Sequence, residues 1–296
     1  MAKKGGAKPE PLLVGGQAVI EGVLMRSKEL AVVAVRTGSG KIVHKEWKLS
    51  PPGGFFRYPL LRGVYVLYDT LVLGFRALAF SANASSGEDK PGAEVMGGRE
   101  MFLSFALAIL LAVALFVAAP LFLAKLVVDG NGVLFNLVDG VFRLLAFLAY
   151  LLFISMFRDV QRIFQYHGAE HMAIHAYEHG EKLLPSKIRK YPTMHPRCGT
   201  SFLLIVVIVS VMAFSVVNPA GFLPKFLSRI VLLPVIAGAS YELLRLGARF
   251  GKNILMKAFV FPGLLLQRIT TKEPDETQML VAVAALKAVL RTQRGN

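Results

Sequence analysis

Residues 101–128 read MFLSFALAILLAVALFVAAPLFLAKLVV, with no charge before Lys125. Crossing a hydrocarbon core takes about 20 helical residues, so this run is long enough to span one. A second run, VLFNLVDGVFRLLAFLAYLLFISMF (133–157), carries only Asp139 and Arg143. SFLLIVVIVSVMAFSVV (201–217) is shorter and uncharged. FLSRIVLLPVIAGASYELLRL (226–246) is apolar through its middle, with Arg229 near one end and Glu242 and Arg245 near the other. One such run is compatible with a buried helix of a soluble domain. Four of them, in a 296-residue chain that is 54% hydrophobic, predict an α-helical polytopic membrane protein with about four transmembrane helices.

Charge sets the expected orientation. Lys and Arg number 14 in residues 1–100, 7 in 158–200 and 9 in 245–296. The remaining four of the 34 are Lys125, Arg143, Lys225 and Arg229, in or beside the apolar runs. Cytoplasmic loops carry the excess of basic residues, so both termini and the 158–200 loop are expected in the cytoplasm. The short links 129–132 and 218–225 are then external. This places the chain in a bacterial cytoplasmic membrane, with the lipid bilayer as partner. The formal net charge of +15 follows largely from that topology, with attraction to anionic lipid as a further effect. Nucleic acid is not an expected partner, because no aromatic-basic platform accompanies the charge. MAKKGGAKPE does not read as a signal peptide, since no apolar core follows its lysines. A single cysteine, Cys198, rules out an internal disulfide.

Outside the apolar runs the pattern changes. Residues 1–11 form a basic tail that is expected to be disordered. From 12 to 50, the β-branched runs LLVGGQAVIEGVLMRS and ELAVVAVRT and the turn Thr37-Gly38-Ser39-Gly40 predict a small cytoplasmic antiparallel β element. Residues 55–84 read as an amphipathic helix at the membrane interface, with a fifth span as the competing reading. A linker is expected at 85–100. The bundle then runs over 101–250 and encloses the 158–200 loop. Over 251–296 the sequence predicts an interfacial or re-entrant helix broken at Pro262. A cytoplasmic helix follows, its start marked by Pro274-Asp275-Glu276.

Four of the six histidines fall in YHGAEHMAIHAYEHG (166–180) at a spacing of four. The helical period continues from the second apolar run, which predicts one long helix through both. At about 100° per residue, with His167 as zero, His171 lies near 40°, His175 near 80°, Glu178 near 20° and Glu170 near −60°. One broad face thus offers imidazoles and carboxylates, as a divalent cation requires. His179, at about 120°, has drifted off it. His167-Gly-Ala-Glu170-His171 also fits H-x-x-E-H, in which two histidines hold a metal and the glutamate takes a proton from water. His195-Pro-Arg-Cys198 and Glu242 are expected at the same membrane boundary. The expected ligands are His167, His171 and a third group. Glu242 and Glu178 compete for that place, with His195 and Cys198 behind them. Zinc is the expected ion and Glu170 the expected base. The structural alternatives are a polar helix face meeting headgroups, surface pairing of Glu178, a buried Cys198, and Glu242 balancing Arg245 or Arg249.

GGQAVIEGVLMRS (15–27), YHGAEHMAIHAYE (166–178), HPRCGTSF (195–202), SYELLR (240–245) and EPDETQMLVAVAAL (273–286) together resemble the signature blocks of the YqhQ-like family. These are bacterial multi-pass membrane proteins of unknown function, labelled predicted metal-dependent enzymes. The resemblance implies a metal without naming ligands or a reaction. It also draws attention to Gly15, Gly16, Gln17, Glu21, Gly22 and Arg26. These form either a tight turn with Glu21 paired to Arg26, or a loop against the histidines with Gln17 or Glu21 reaching a ligand. His175 lies inside the same blocks. Two function classes follow: a metal-dependent hydrolase facing the cytoplasm, or a non-catalytic membrane scaffold that binds a cytoplasmic protein. Ion transport is disfavoured, because Asp139 and Glu242 are the only carboxylates within the spans.

Overall fold

A computed structural model describes residues 12–86, 98–130, 132–249 and 254–291. The tail at 1–11 and most of the linker at 85–100 lie outside these residues. The N-terminal part is an antiparallel meander, β1 (Gly15–Val19), β2 (Gly22–Arg26), β3 (Leu30–Arg36) and β4 (Ile42–Lys48), in the order β1-β2-β3-β4. Val19 pairs with Gly22, so Ile20 and Glu21 alone make the first turn, and Glu21 takes the left-handed region at φ 51°. The expected glycine turn closes β3 onto β4, with Thr37 N–H donating to Lys41 O at 2.8 Å.

The run Leu30–Val35 is buried on both faces, which is why it reads as continuously apolar rather than alternating. Leu30, Val32 and Ala34 join a core with α5 (Arg158–Glu178) and α11 (Glu276–Arg291). Ala31, Val33 and Val35 face the other way, toward Leu73 and Ala77 of α1 (Leu61–Ser85). A 3-10 turn, Gly54–Arg57, precedes α1. The sheet is therefore the middle of three layers.

The apolar helices follow in order. α2 (Gly98–Val113) runs through a π-helical turn, Ala114–Ala118, into α3 (Ala119–Val127), and α4 (Val133–Ile154) comes next. After α5 come α6 (Pro185–Ile188), α7 (Thr200–Val216), α8 (Phe222–Val231), α9 (Leu233–Arg249) and α10 (Ile254–Thr270). Among the described residues three helices are long and apolar enough to cross a membrane, or four if the bent pair α8 and α9 is one span. Their outward faces are apolar and uncovered: Leu110 is 64% exposed and Phe153 61%. Such surfaces suit hydrocarbon rather than water.

Three expectations change. Residues 226–246 are not one helix: α8 and α9 meet at 47°. Pro234, second in α9, lacks the N–H that would continue α8. α4 and α5 are not one helix either, because Phe157 is extended between them at ψ 134° and lets α5 turn onto the sheet. The helix at 254–270 is not broken at Pro262, which lies inside α10. Beside it Gly263 packs so close to Ser201 of α7 that a Cβ would meet Oγ at 2.2 Å. The helix read at 55–84 is itself one of the three candidate spans by length and composition. Its N-terminal part packs on α9, where a Cβ on Gly63 would lie 2.8 Å from Gly238 Cα.

The β1–β2 turn docks on α5 through Glu21, which pairs with Arg162 and accepts Tyr166 O–H at 3.1 Å. Hydrogen bonding from Arg162 lowers the Glu21 pKa below the ordinary 4.5. The pair's stabilisation is then present above that value and is lost as pH falls. Glu21→Gln keeps the turn geometry and removes the charge. We expect it to lower stability at pH 7 by about 1 kcal/mol. Thermal melts in detergent should show that gap close below pH 4.5.

Candidate metal centre

α5 buries its histidine face. Its buried residues include Tyr166, Gly168, Ala169, Glu170, His171 and Met172. The opposing chain, residues 270–272, lies tight against it: Lys272 N–H donates to Phe164 O at 2.9 Å, and a Cβ on Gly168 would meet Lys272 O at 2.1 Å. Only a glycine permits that approach. The same approach places the Thr270 carbonyl beside His167 and the Thr193 carbonyl beside His171.

Those two carbonyls fix the chemistry of the rings. Thr270 O lies 2.8 Å from His167 Nδ1, and Thr193 O is hydrogen-bonded to His171 Nδ1. A carbonyl only accepts, so each Nδ1 carries the proton and each Nε2 keeps its lone pair. This is the tautomer and orientation that a metal-binding histidine needs. His167 Nε2 points at Cys198 Sγ, 3.3 Å away. Candidate ligand atoms of His167, His171 and Cys198 all lie within 4.8 Å of one another. Zinc bonds of about 2.1 Å to nitrogen and 2.3 Å to sulfur at tetrahedral angles set ligand atoms roughly 3.5 Å apart, close to the His167–Cys198 separation. Burial drives the His171 pKa down to about 2, so this ring is neutral, as a ligand must be. Burial raises the Cys198 thiol, opposed by hydrogen bonds from Thr200 N–H and Oγ1 at 3.5 and 3.4 Å.

Glu170 lies beside this group, close enough to His167 and Cys198 to feel their charges, but is not one of its three mutually close ligands. It is 4% exposed, and its Oε2 is buried without a hydrogen-bond partner among the described residues. Burial pushes its pKa up to about 8, with opposing influences from His167 and Cys198 beside it. Its carboxyl lies against Gly16, where a Cβ would come within 2.8 Å of Glu170 Cδ and 2.6 Å of Leu24 O. A buried, unpartnered carboxylate next to two lone pairs and a thiol is an environment that a dication would relieve.

Glu178 and His195 lie elsewhere. Candidate ligand atoms of His175, Glu178 and His195 form a separate cluster, also within 4.8 Å of one another. Two rings link the clusters, with His171 and His195 centroids 5.7 Å apart. The tautomers differ, however. His195 Nδ1 accepts the Arg197 N–H at 3.2 Å, so its proton sits on Nε2, 3.5 Å from Glu178 Oε2. Arg197 also pairs with Glu178. Glu178 is thus paired with Arg197, and the neutral His195 ring presents toward it a buried Nε2–H that makes no hydrogen bond among the described residues. His175 donates to Met194 O at 3.0 Å through Nε2, and exposed His179 bonds His175 O.

Glu242 is not at the site. It receives two hydrogen bonds from Arg62 of α1, because that face of α9 packs on α1. Its role is to pair helices. Gln17 lies over Gly74, whose Cβ would meet Gln17 Oε1 at 2.7 Å. Glu21 is not paired with Arg26, which instead donates to Asp69 Oδ2 at 2.7 Å. Of the glycine-rich hairpin, Gly16 is the residue that touches the site. Sequence reasoning missed the carbonyls of Thr193 and Thr270, which carry no side-chain signal. It also missed Gln267, which holds the His195 backbone through bonds of 2.8 and 3.0 Å.

The fold of the described residues is a small sheet layered between helices, three or four of them long and apolar enough to cross a membrane, with a His/Cys group placed so that it could hold a metal ion. The chain belongs to the family described as "Protein of unknown function (DUF1385)", whose profile matches residues 58–292. It is 32% identical over 303 residues to "Uncharacterized protein YqhQ" of Bacillus subtilis (strain 168), covering 96% of this chain and 94% of that protein. No solved structure matches. The YqhQ-like resemblance in the sequence blocks is therefore correct.

Gly168→Ala tests the tight approach that sets both tautomers. Overpacking of this kind costs about 1–3 kcal/mol. We expect that loss in thermal melts, together with movement of the His167 and His171 ring resonances in NMR spectra.

Proposed function

We propose that this chain is an integral protein of the bacterial cytoplasmic membrane that holds one divalent ion, most plausibly zinc, at His167, His171 and Cys198, and hydrolyses a membrane peptide or lipid there. The observation that carries this reading is the pair of imidazoles held at Nδ1 by backbone carbonyls, with His167 Nε2 3.3 Å from the Cys198 sulfur and ligand atoms of all three residues within 4.8 Å of one another. Three protein ligands leave a place for substrate or water, as catalytic zinc sites do. A bound ion would supply Lewis acidity and lower the pKa of water. Glu170 would receive the proton, since a neighbouring dication favours its ionised form over the neutral one that burial alone enforces. Gly16 leaves the room in which that carboxylate turns.

A second reading is favoured by the depth of the site, where His171 is 2% and Glu170 4% exposed. There Glu170 would be a fourth ligand, the ion would be structural, and the sheet would bind a cytoplasmic protein. Structural zinc sites are closed by four ligands in this way.

Metal analysis of detergent-purified protein separates the readings. One ion per chain is expected, lost from the His167→Ala, His171→Ala double variant and from Cys198→Ser. A stoichiometric ion untouched by these changes would sink the assignment. Glu170→Gln should keep the ion and lower turnover about 10²–10⁴-fold if Glu170 is the base. Loss of the ion instead indicates the structural centre. Orientation has its own test: a cysteine at Lys182 should react with impermeant maleimide only after cells are opened, and one at Asp129 in intact cells.

A further inference from the structure

The four cations that interrupt the apolar part of the sequence, Lys125, Arg143, Lys225 and Arg229, gather at one end of the helices. That end lies at the start of α4, far along the chain from the histidines at the end of α5. Arg229 is 0%, Lys225 4% and Arg143 8% exposed. The one carboxylate with them is Asp139, whose Oδ2 lies 3.2 Å from Arg143 and 3.5 Å from Arg229. Arg229 also donates to Asn136 Oδ1 at 2.9 Å, and Arg143 to Ser210 Oγ at 3.2 Å. Both guanidinium groups lie over the Phe214 ring, and Lys225 Nζ sits 3.6 Å from the Phe135 centroid. Lys125 faces Phe222 at 5.9 Å, on the exposed side.

Two features are hard to account for as packing alone. First, α8 keeps its cations inward. Its exposed positions include Leu223 (63%), Leu227 (50%) and Val231 (73%), as on the other apolar helices, while Lys225 and Arg229 are buried. Basic side chains near the end of a membrane helix ordinarily snorkel outward to the headgroups. Second, the buried charges do not balance. Three buried cations face one carboxylate among the described residues. Among the described residues the Nε of Arg143, the Nε of Arg229 and the Nδ2 of Asn136 are buried donors without partners, against a single unpartnered acceptor in the cluster, Asp139 Oδ1. Unbalanced buried charge is costly, and a donor surplus is met by an acceptor.

We propose that this cluster is an oxyanion site for a phosphate group, entered beside α8 and held by Arg143, Lys225 and Arg229, with Lys125 at its rim. Phosphate accepts from several N–H donors at once and carries the missing negative charge. The phosphodiester of an anionic lipid and free inorganic phosphate share that chemistry.

The test is a thermal melt of the full chain in dodecyl maltoside, a host without phosphate. Wild type is compared in maltoside alone, with added phosphatidylglycerol, and with added inorganic phosphate. A melting temperature several degrees higher with phosphatidylglycerol identifies a lipid phosphate, and the same rise with inorganic phosphate identifies the free ion. Lys225→Met should remove that rise while leaving the protein folded. In maltoside alone the same substitution should not destabilise, because it removes an uncompensated charge. Two results would overturn the proposal: no difference among the three conditions, or an anion-dependent rise of wild-type size in Lys225→Met. A Lys225→Met protein that melts below wild type by the same margin in every condition would make the cluster purely structural.

Discussion

The strand Leu30–Arg36 has no solvent-facing side, and the rest of the structure is arranged around that fact. A strand buried on both faces needs a layer on each. Here one layer is α1, a candidate span, and the other is the pair α5 and α11. Each fully buried Val or Leu contributes about 1.5–3 kcal/mol, whereas an exposed ion pair such as Glu21–Arg162 contributes about 1 kcal/mol or less. The apolar layers therefore set the position of the sheet, and the ion pairs refine its register. The sheet is a wedge between helices rather than an appended domain, so it carries β1, with Gly16, onto the face of α5 that bears Glu170.

The candidate centre inherits its geometry from this wedge. His167 and His171 have their ring positions from one helix, but their tautomers come from the carbonyls of Thr270 and Thr193, in two other segments. Cys198 is brought by the turn that starts α7. No element holds the group alone. Gly16 and Gly168 matter because each replaces a side chain with close backbone approach, one to the Glu170 carboxyl and one to the Lys272 carbonyl.

Much of this was legible in the sequence, and the reasons for the remainder are physical. The apolar runs and the β-branched meander are local signals, and the structure contains helices and a four-stranded sheet where they fall. The His167–His171 pair follows from helical period alone. The breaks at Phe157 and between α8 and α9 are set by what each helix must pack against, which periodicity does not encode. Glu242 was a reasonable ligand by topology, yet a carboxylate on a helix answers to its nearest cation, and Arg62 is that cation. His195 fell in the expected neighbourhood, but its tautomer depends on a backbone N–H two residues away. Proximity was readable from the chain; donor or acceptor character was not.

The polar residues of the helical part divide into two populations that obey different rules. Near α5 the buried groups are an imidazole, a thiol and a carboxyl whose charged forms burial disfavours, with the carboxyl pushed to about 8. At the start of α4 the buried groups are arginines and a lysine, and an arginine does not shed its charge in proteins. A cluster of the first kind can adapt to the presence or absence of an ion by moving protons. A cluster of the second kind cannot, and must find compensation from outside its own side chains. α7 reaches both clusters, with Thr200 on the Cys198 sulfur at its start and Ser210 and Phe214 on the arginines toward its end, so occupancy at either end bears on the packing of the helix that frames the other.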